Sequence, residues 1–373
     1  MDSEGSLDSS GSPISQRHDY PFVSQPEQST AATQQSSTGI EQARTYLQQL
    51  YNPQLTAPDY DPEKVFICRI SGREWSHLRE EFDLDGSRSE ERYKWPRFSY
   101  NTATSTLKIY AMPHRLHETI VRLVNKHLNR LFEQVLPKSL EEKIRCYTNL
   151  DLDGFKEEYG DSMKVPDVAI FEEDENAETD DLKWALQVGF SQNYDFLQED
   201  IRLLLIGQPT CSMVFLVNIT ESPTYRCPLD FDFDLCEELN IPQNGDEILK
   251  KDFSVEGEFG PVTFKGHQWV GEITAFVEIW TRHPGTGEPR RKRGHRMDII
   301  PAATNSSLQC RLRDFLSMID GDQETSFDWD RIRTELKASL QTLALSRCRR
   351  WLRESRNRAG ENDPSYKPSG TGS

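Results

Sequence analysis

The order of the apolar segments predicts an α/β protein in which a mixed β-sheet core is flanked by helices. Two strand-like runs, residues 164–171 and 184–190, are separated by an acidic loop, and an amphipathic helix is predicted over residues 195–206. A third apolar run, residues 212–219, follows that helix directly. Strand, loop, strand, helix and strand in this order are typical of a sheet with a crossover connection, so we expect four or five strands.

The elements before this stretch are predicted from their periodicity. Residues 64–70 are strand-like, and residues 96–100 and 106–110 indicate a hairpin that turns across residues 101–105. A helix is predicted over residues 113–136, because apolar residues recur there at helical spacing and form a wide stripe. We expect this stripe to pack on the sheet.

The elements after it return first to strands and then to helices. Residues 262–264 and 273–280 are strand-like, and a turn with Pro and Gly follows at residues 284–287. Two helices are predicted over residues 307–319 and 329–353. They would form a helical C-terminal tail.

Composition divides the chain into a folded middle and two polar ends. Residues 1–58 are rich in Ser, Gln, Thr, Gly and Pro, which is typical of a disordered tail, although a short helix is predicted over residues 41–50. The predicted segments are a disordered tail (1–58), an α/β domain (59–300) with a poorly ordered acidic insertion (228–258), C-terminal helices (301–356) and a second disordered tail (357–373).

Charge and cysteine content limit the partners and the compartment. The chain has 373 residues and a net charge of −17, so it should repel nucleic acids and membrane surfaces except at local basic patches. Its seven cysteines include no C-x-x-C pair, which indicates a reducing intracellular compartment, nuclear or cytoplasmic, without disulfides or a zinc framework. The longest apolar runs are too short to cross a bilayer, and we expect no membrane association.

The candidate site consists of polar side chains on two neighbouring strands. Asp167 follows Pro166 in the first strand, Gln187 lies in the second, and a helix comes next. Other interpretations stay open, because an Asp after Pro is often a turn former and a Gln can be a satisfied polar residue of a sheet. Ser191 and Tyr194 are expected to cap and position the following helix.

These residues resemble the PD-(D/E)XK nuclease superfamily, in particular its uncharacterised fungal branch. Pro166-Asp167 matches the PD half, and the sequence QVGFSQ from Gln187 matches the second strand. Residues 112–118 look like the Met-Pro-x-x-x-His-Glu start of the first helix of the family, with Glu118 as the accessory acid. The resemblance covers residues 95–300 and implies a restriction-endonuclease-like fold.

The resemblance also implies metal-dependent phosphodiester hydrolysis by Glu118, Asp167 and Gln187. Asp167 and Gln187 would share a Mg²⁺ ion that activates water. However, Gln187 stands where the family usually has Glu, and Gly189 stands where the superfamily has its lysine. We therefore expect weak or absent Mg²⁺ binding and weak or lost catalysis, which leaves open whether the protein is an enzyme.

Two alternatives concern Glu118 and the missing lysine. On a helical wheel Glu118 lies about 200° from the stripe residue Leu116, so it reaches the site only if the first turn overhangs the cleft. Lys183 shares the face of Gln187, but four strand residues span about 13 Å, which is too far for a substitute. Arg202 on the next helix is another source of positive charge.

The most basic run of the chain is the candidate nucleic-acid contact. Three interpretations are open for it: a nuclear-localisation signal, a loop that contacts the phosphates of DNA or RNA, or a solvated hairpin tip. The run contains Arg290, Arg291, Lys292, Arg293 and Arg296, and a second basic cluster contains Arg347, Arg349, Arg350 and Arg353. The alternative function is a non-catalytic interaction module that binds a protein or a nucleic acid through these C-terminal segments.

Overall fold

A six-stranded mixed sheet forms the centre of the protein in the computed structural model. The structure describes residues 38–52, 63–84, 96–112, 114–173, 180–228, 240–242, 244–302, 308–319 and 323–362. The described helices are α1 (Gly39–Tyr51), α2 (Gly72–Glu81), α3 (Arg115–Val135), α4 (Lys138–Glu141), α5 (Tyr194–Gly207) and α6 (Trp329–Asn362). The described strands are β1 (Val65–Arg69), β2 (Arg97–Asn101), β3 (Thr106–Tyr110), β4 (Ile144–Tyr147), β5 (Val168–Glu172), β6 (Asp181–Phe190), β7 (Met213–Ser222), β8 (Ser254–Val255), β9 (Val262–Phe264), β10 (His267–Val270), β11 (Glu272–Arg282), β12 (Pro289–Ile300), β13 (Gln309–Arg311) and β14 (Glu324–Ser326).

The central sheet has the strand order β12-β11-β7-β6-β5-β4. β6 and β7 pair in parallel and are joined through α5, whereas the other neighbouring pairs are antiparallel. The strands that carry Asp167 and Gln187 are adjacent as predicted, since Val168 pairs with Leu186. Among the described residues the sheet has six strands and not four or five, because two segments that were not predicted as strands extend it: β12, which contains the basic run, lies beyond β11, and β4 lies beyond β5.

Helices cover both faces of this sheet. Even-numbered residues of β6, such as Leu186 and Val188, pack in one core with α3, while Ala185 packs in another core with α5. Successive side chains of a strand point to opposite faces, so a strand covered on both sides is apolar throughout. The apolar stripes predicted on α3 and α5 therefore each pack against one face of the sheet.

A smaller sheet with the order β1-β3-β2 packs with α1 and α2. The hairpin predicted at residues 96–110 is confirmed as β2 and β3. The helix predicted over residues 41–50, as an exception within residues 1–58, is confirmed as α1, and its Ala43 and Leu47 are buried. Residues 1–37 and 53–58 lie outside the described residues.

Three predictions for the C-terminal half are wrong. The helix predicted over residues 307–319 is instead β13 followed by a short 3-10 turn, because the chain pairs with β14. Within the acidic segment 228–258, Ile248 and Phe253 are buried in the core shared with α6, so that part is packed. α6 also extends to Asn362, into the tail predicted to be disordered.

Residues 229–239, 243 and 363–373 lie outside the described residues, so the corresponding parts of those predictions have no counterpart here. Within the described ranges, no helix combines the length and the apolar composition needed to cross a membrane.

Candidate functional site

Asp167 immediately precedes β5, and its buried carboxylate is the centre of an ion-pair network. The network consists of Arg97 on β2, His117 and Glu118 on α3, and Asp167, with Asp167 Oδ1 2.9 Å from His117 Nε2 and 3.2 Å from Arg97 Nη1. The N–H of Val188 on β6 donates to Asp167 Oδ2 over 2.7 Å. Each carboxylate oxygen of Asp167 is therefore engaged by a donor of the protein itself.

The protonation of His117 is set by this carboxylate. Burial alone would lower the pKa of His117, but the charge and hydrogen bond of Asp167, together with Glu118, raise it to about 9. Burial would likewise raise the pKa of Asp167, but His117, Arg97 and the Val188 N–H hold it below its ordinary value. At neutral pH the pair is an imidazolium and a carboxylate.

Glu118 reaches the site from the first turn of α3, as the overhang alternative required. Its Oε1 lies 3.5 Å from Arg97 Nη2 and 3.3 Å from His117 Nδ1, and its side chain is 39 % exposed. The N-cap of α3 is His114, whose Nδ1 accepts from the Leu116 N–H, and this fixes the first turn beside the sheet. Two cations and two carboxylates thus balance in charge.

Gln187 is buried beside Asp167, and its side-chain Oε1 has no hydrogen-bond partner among the described residues. No described residue of the protein therefore satisfies this oxygen, as the interpretation of Gln187 as a satisfied sheet residue would require. A buried acceptor without a donor costs about 1–3 kcal/mol, so such a group is a candidate ligand contact.

Gly189 is glycine because α5 lies close to β6. A Cβ at this position would stand 2.5 Å from Leu197 Cδ1, a distance that real side chains do not show. A lysine at this position, as in the superfamily, would require Leu197 to move. Lys183 is engaged elsewhere, 3.5 Å from Glu172, and Arg202 pairs with Glu288 at 2.6 Å, so neither takes its place.

A cavity of about 40 Å³ opens beside these side chains. Its wall combines apolar and charged groups and includes Arg97, Phe98, Tyr110, His114, His117, Asp167, Gln187 and Phe190. A volume of this size holds a few water molecules or a small ligand group. The apolar share of the wall strengthens electrostatic interactions inside it.

A second buried charge cluster lies behind the first. Asp200 on α5 accepts from Lys108 Nζ on β3 over 2.8 Å and lies 2.9 Å from Lys164 Nζ. Both lysines and Asp200 are buried, so two positive charges share one negative charge. Burial would raise the pKa of Asp200, but the two lysines hold it below its ordinary value.

Sequence reasoning did not assign Arg97, Lys108, Lys164 or Asp200 to a site, and it included His117 only as the histidine of the Met-Pro-x-x-x-His-Glu resemblance. One signal was present for Asp200, which lies three residues after Leu197 and four before Leu204, inside an apolar helix stripe. A similar signal was present for Lys108, which lies between the apolar residues Leu107 and Ile109 of a strand. Arg97 and Asp167 are 70 residues apart, and no local pattern joins them.

Asp167 and Gln187, the metal ligands that the resemblance implies, do not fit a Mg²⁺ ion in this structure. Mg²⁺ prefers several oxygen ligands with negative charge, whereas Asp167 is neutralised by His117 and Arg97, and Gln187 adds no charge. In the described part of the chain, no three His, Cys, Asp or Glu side chains are placed to hold a metal ion. The arrangement can instead polarise or bind a group that enters the cavity.

The basic run is a bulged strand and not a hairpin tip. Arg296 pairs opposite Glu278 and Arg291 opposite Trp280, so the residues between them form a bulge in β12. Glu278, which is fully buried, accepts from Arg291 Nη1 over 2.8 Å and from Arg296 Nη1 over 3.3 Å, and Lys292 Nζ donates to Asp314 over 3.0 Å. The side chain of Arg293 lies outside the described part.

Most side chains of the second basic cluster form contacts within the protein. Arg347 is buried and binds Glu221 and Glu63, Arg349 donates to two backbone carbonyls, and Arg350 pairs with Glu63. Arg353 is exposed. This cluster therefore offers little free charge to a partner.

The predicted capping of α5 by Ser191 and Tyr194 is corrected, whereas the contact of Tyr194 agrees with its predicted role in positioning the helix. Asn193 is the N-cap of α5, since its side chain accepts from the Asp195 N–H. Ser191 has a φ of +48° and its Oγ accepts from the Glu221 N–H. The Tyr194 hydroxyl donates to Glu278 over 2.6 Å, which links α5 to β11.

No family model matches the chain, and no curated protein matches it either.

Proposed function

We propose that the protein is nuclease-like, that its hydrolytic site is degenerate, and that it binds nucleic acid without efficient cleavage. The observation that carries this proposal is the ion-pair network around Asp167. His117 and Arg97 occupy the positions around this carboxylate that a divalent cation would need. A carboxylate neutralised in this way has little remaining attraction for Mg²⁺.

The order of elements supports a restriction-endonuclease-like core. It runs α3, β4, β5, β6, α5 and β7, with antiparallel pairs up to β6 and a parallel pair across α5. Glu118, Asp167 and Gln187 all lie at one end of this core, beside the same cavity or its ion pairs. A nuclease ancestry would explain why these three polar residues converge.

The proposed nucleic-acid contact is the solvent-facing edge strand β12. Arg290 is exposed there, and the side chains of Arg291 and Arg296 are 47 % and 45 % exposed despite their pairing with Glu278. Arg296 also lies over the ring of Phe276, 3.8 Å from its centroid, which fixes the guanidinium. Half-exposed arginines held in place can accept phosphate as a further partner.

Calorimetric titration with Mg²⁺ and Mn²⁺ tests the degenerate site. We expect binding no tighter than the millimolar range, no cleavage of single- or double-stranded DNA or RNA, and retention of nucleic acid at low salt. The Asp167→Ala variant should abolish any residual metal signal, with thermal unfolding to verify that the variant is folded. Micromolar metal binding that does not depend on Asp167 would contradict the proposal.

The alternative is a non-catalytic module that binds a protein partner through the basic C-terminal segments. The net charge of −17 favours it, because this charge opposes the approach of nucleic acid. If the wild-type protein, with an unaltered β12, does not bind nucleic acid at low salt, this alternative function is favoured.

A further inference from the structure

A second cavity, of about 300 Å³, lies between α3 and the start of α6. One helix face of α3 contributes Leu123, Lys126, His127 and Arg130, and the other wall consists of Phe327, Asp328, Arg331 and Ile332. On α3 these residues are spaced at three, four and seven positions, so they line one face of the helix. The cavity is separate from the ion-pair network, because His127 is ten residues, or about 15 Å along the helix axis, from His117.

The rim of this cavity is positive in a protein that is negative overall. Lys126, Arg130 and Arg331 are exposed, and none of them has an ion-pair partner within the described ranges. Asp328 is the one carboxylate in the wall, and its Oδ1 already accepts from the Arg331 N–H over 2.9 Å at the start of α6. Three cations against one carboxylate leave an excess of two positive charges.

The floor of the cavity is apolar and aromatic. Leu123, Phe327 and Ile332 are buried, and the ring of His127 lies 4.8 Å from that of Phe327. Burial lowers the pKa of His127 more than Asp328 raises it, so the imidazole is neutral at pH 7. Its Nε2 is buried and makes no hydrogen bond to any described residue.

The positive charge of the cavity, its volume and its apolar floor together indicate the class of ligand that fits it. A phosphate monoester carries close to two negative charges at neutral pH and three acceptor oxygens, which matches the excess charge and the three separate cations. The volume lies at the lower end of the roughly 300–1,000 Å³ of small-molecule sites, so there is room for more than a phosphate ion. The apolar floor and the two rings suit a flat organic group.

We infer that the cavity between α3 and α6 binds a phosphate monoester of a small planar compound, with the phosphate at Lys126, Arg130 and Arg331. A nucleoside monophosphate is the simplest molecule of this class. The inference is independent of the proposed nuclease ancestry, because no residue of this cavity belongs to the network around Asp167.

Calorimetry on the full chain at physiological salt tests this with three probes: adenosine 5′-monophosphate, adenosine and inorganic phosphate. We expect the monophosphate to bind at least about tenfold more tightly than either part alone, since the two parts use different walls of the cavity. Arg130→Gln and Arg331→Gln should each weaken binding of the monophosphate by about tenfold, the effect of losing one hydrogen bond to a charged group.

Arg122→Gln is the matched control. Arg122 lies on the same helix and is 57 % exposed, but it pairs with Glu335 outside the cavity, so its loss removes the same charge without removing a ligand contact. We expect this variant to bind the monophosphate within about twofold of the wild type. Circular dichroism would verify that all three variants are folded, which is expected because each changed residue is exposed.

Five outcomes would overturn the inference, and four of them come from the probes and variants above. These four are absence of monophosphate binding at millimolar concentration, equal affinity for inorganic phosphate, equal affinity for adenosine, and equal weakening by Arg122→Gln and Arg130→Gln. A short oligonucleotide that binds more tightly than the monophosphate and depends on Arg130 would also overturn it, because the groove would then be a contact for a nucleic-acid backbone.

Discussion

The protonated state of His117 depends mainly on Asp167, and this gives a prediction at the scale of a residue. In the wild type, the imidazole of His117 should titrate with a pKa of about 9. In Asp167→Asn the largest contribution that raises this pKa is removed while burial and Glu118 remain, so we expect the pKa of His117 to fall well below 9. Nitrogen-15 NMR of the imidazole measures both values.

The same shift gives a dependence of stability on pH. The pKa of His117 is higher in the folded than in the unfolded state, so its stabilising contribution is full below pH 6.5 and is lost as the pH rises to about 9. Asp167→Asn should show a smaller loss in denaturant titrations between those two pH values. Asp153→Asn, an exposed position, is the control, and an unchanged His117 titration in Asp167→Asn would contradict the assignment.

At this scale the sequence predicted where the site lies, but it did not predict which residues neutralise the charge of Asp167. Asp167 and Gln187 were predicted from a strand pattern, and adjacent strands do carry them. Arg97 and His117 could not be assigned, because their contact with Asp167 depends on how the hairpin and α3 pack on the central sheet. Periodicity gives the face of an element but not its neighbour from a distant part of the chain.

At the scale of elements, Gly189 sets the distance between α5 and β6. Gly189→Ala should destabilise the protein by about 1–3 kcal/mol, because the added methyl group overlaps with Leu197. In a Leu197→Ala background, Gly189→Ala should cost less free energy of unfolding than it does in the wild type, because the smaller side chain at position 197 leaves space for the added methyl group. Urea unfolding measures the three variants.

The control for this prediction is Gly285→Ala in the exposed turn between β11 and β12, where the nearest atom would lie at 3.4 Å. We expect little change there. Additive effects of Gly189→Ala and Leu197→Ala would show that the helix does not limit position 189.

Arg347 attaches α6 to the central sheet through buried charge. It donates to Glu221 on β7 and to the carbonyl of Trp269 on β10, and it pairs with Glu63. Arg347→Met should cost about 3–5 kcal/mol, because it leaves buried carboxylates without a counter-ion. Arg353→Met, at an exposed position of the same helix, should cost much less.

The pH dependence distinguishes loss of charge from loss of packing. Burial would raise the pKa of Glu63, but Arg347, His114 and Arg350 lower it to about 2, below its ordinary 4.5. The stability from Glu63 is therefore present above pH 4.5 and is lost as the pH falls towards 2. We expect Arg347→Met to reduce this loss on acidification, and an unchanged acid profile would indicate a packing effect alone.

Helices were predicted well where an apolar stripe was long, as in α3 and α5, and poorly where it was short. α2 was missed, although Ser71 and Glu74 form a capping box that signals its start, with the Ser71 N–H donating to Glu74. The helix predicted at residues 307–319 is absent because its apolar residues serve a strand and a 3-10 turn. Short stripes do not distinguish these states.

At the scale of the whole molecule, the net charge and the ion pairs of β12 limit nucleic-acid binding. Five free cations would give a slope of log affinity against log salt of about −4 to −5 for duplex DNA. Arg291, Lys292 and Arg296 already have carboxylate partners that offset much of their charge even where they also contact phosphate, so we expect a slope of about −1 to −2. Fluorescence anisotropy over a range of salt concentrations measures it.

Arg290→Gln should flatten this slope further, whereas Arg353→Gln on α6 should leave it unchanged. A slope near −4 would show that the ion pairs with Glu278 and Asp314 open on binding. Absence of any binding at low salt would leave the nuclear-localisation interpretation, which a reporter fused to residues 289–296 tests directly.

The contacts of Arg347 have a consequence for the protein during its synthesis. Glu63 and Glu221 leave the ribosome 284 and 126 residues before their shared counter-ion. Until α6 has been translated, Glu221 lacks its arginine partner, and Trp269 lacks the ring of Trp351 that packs against it. We therefore expect a nascent chain stalled before residue 347 to expose these charged and aromatic side chains and to depend on chaperones.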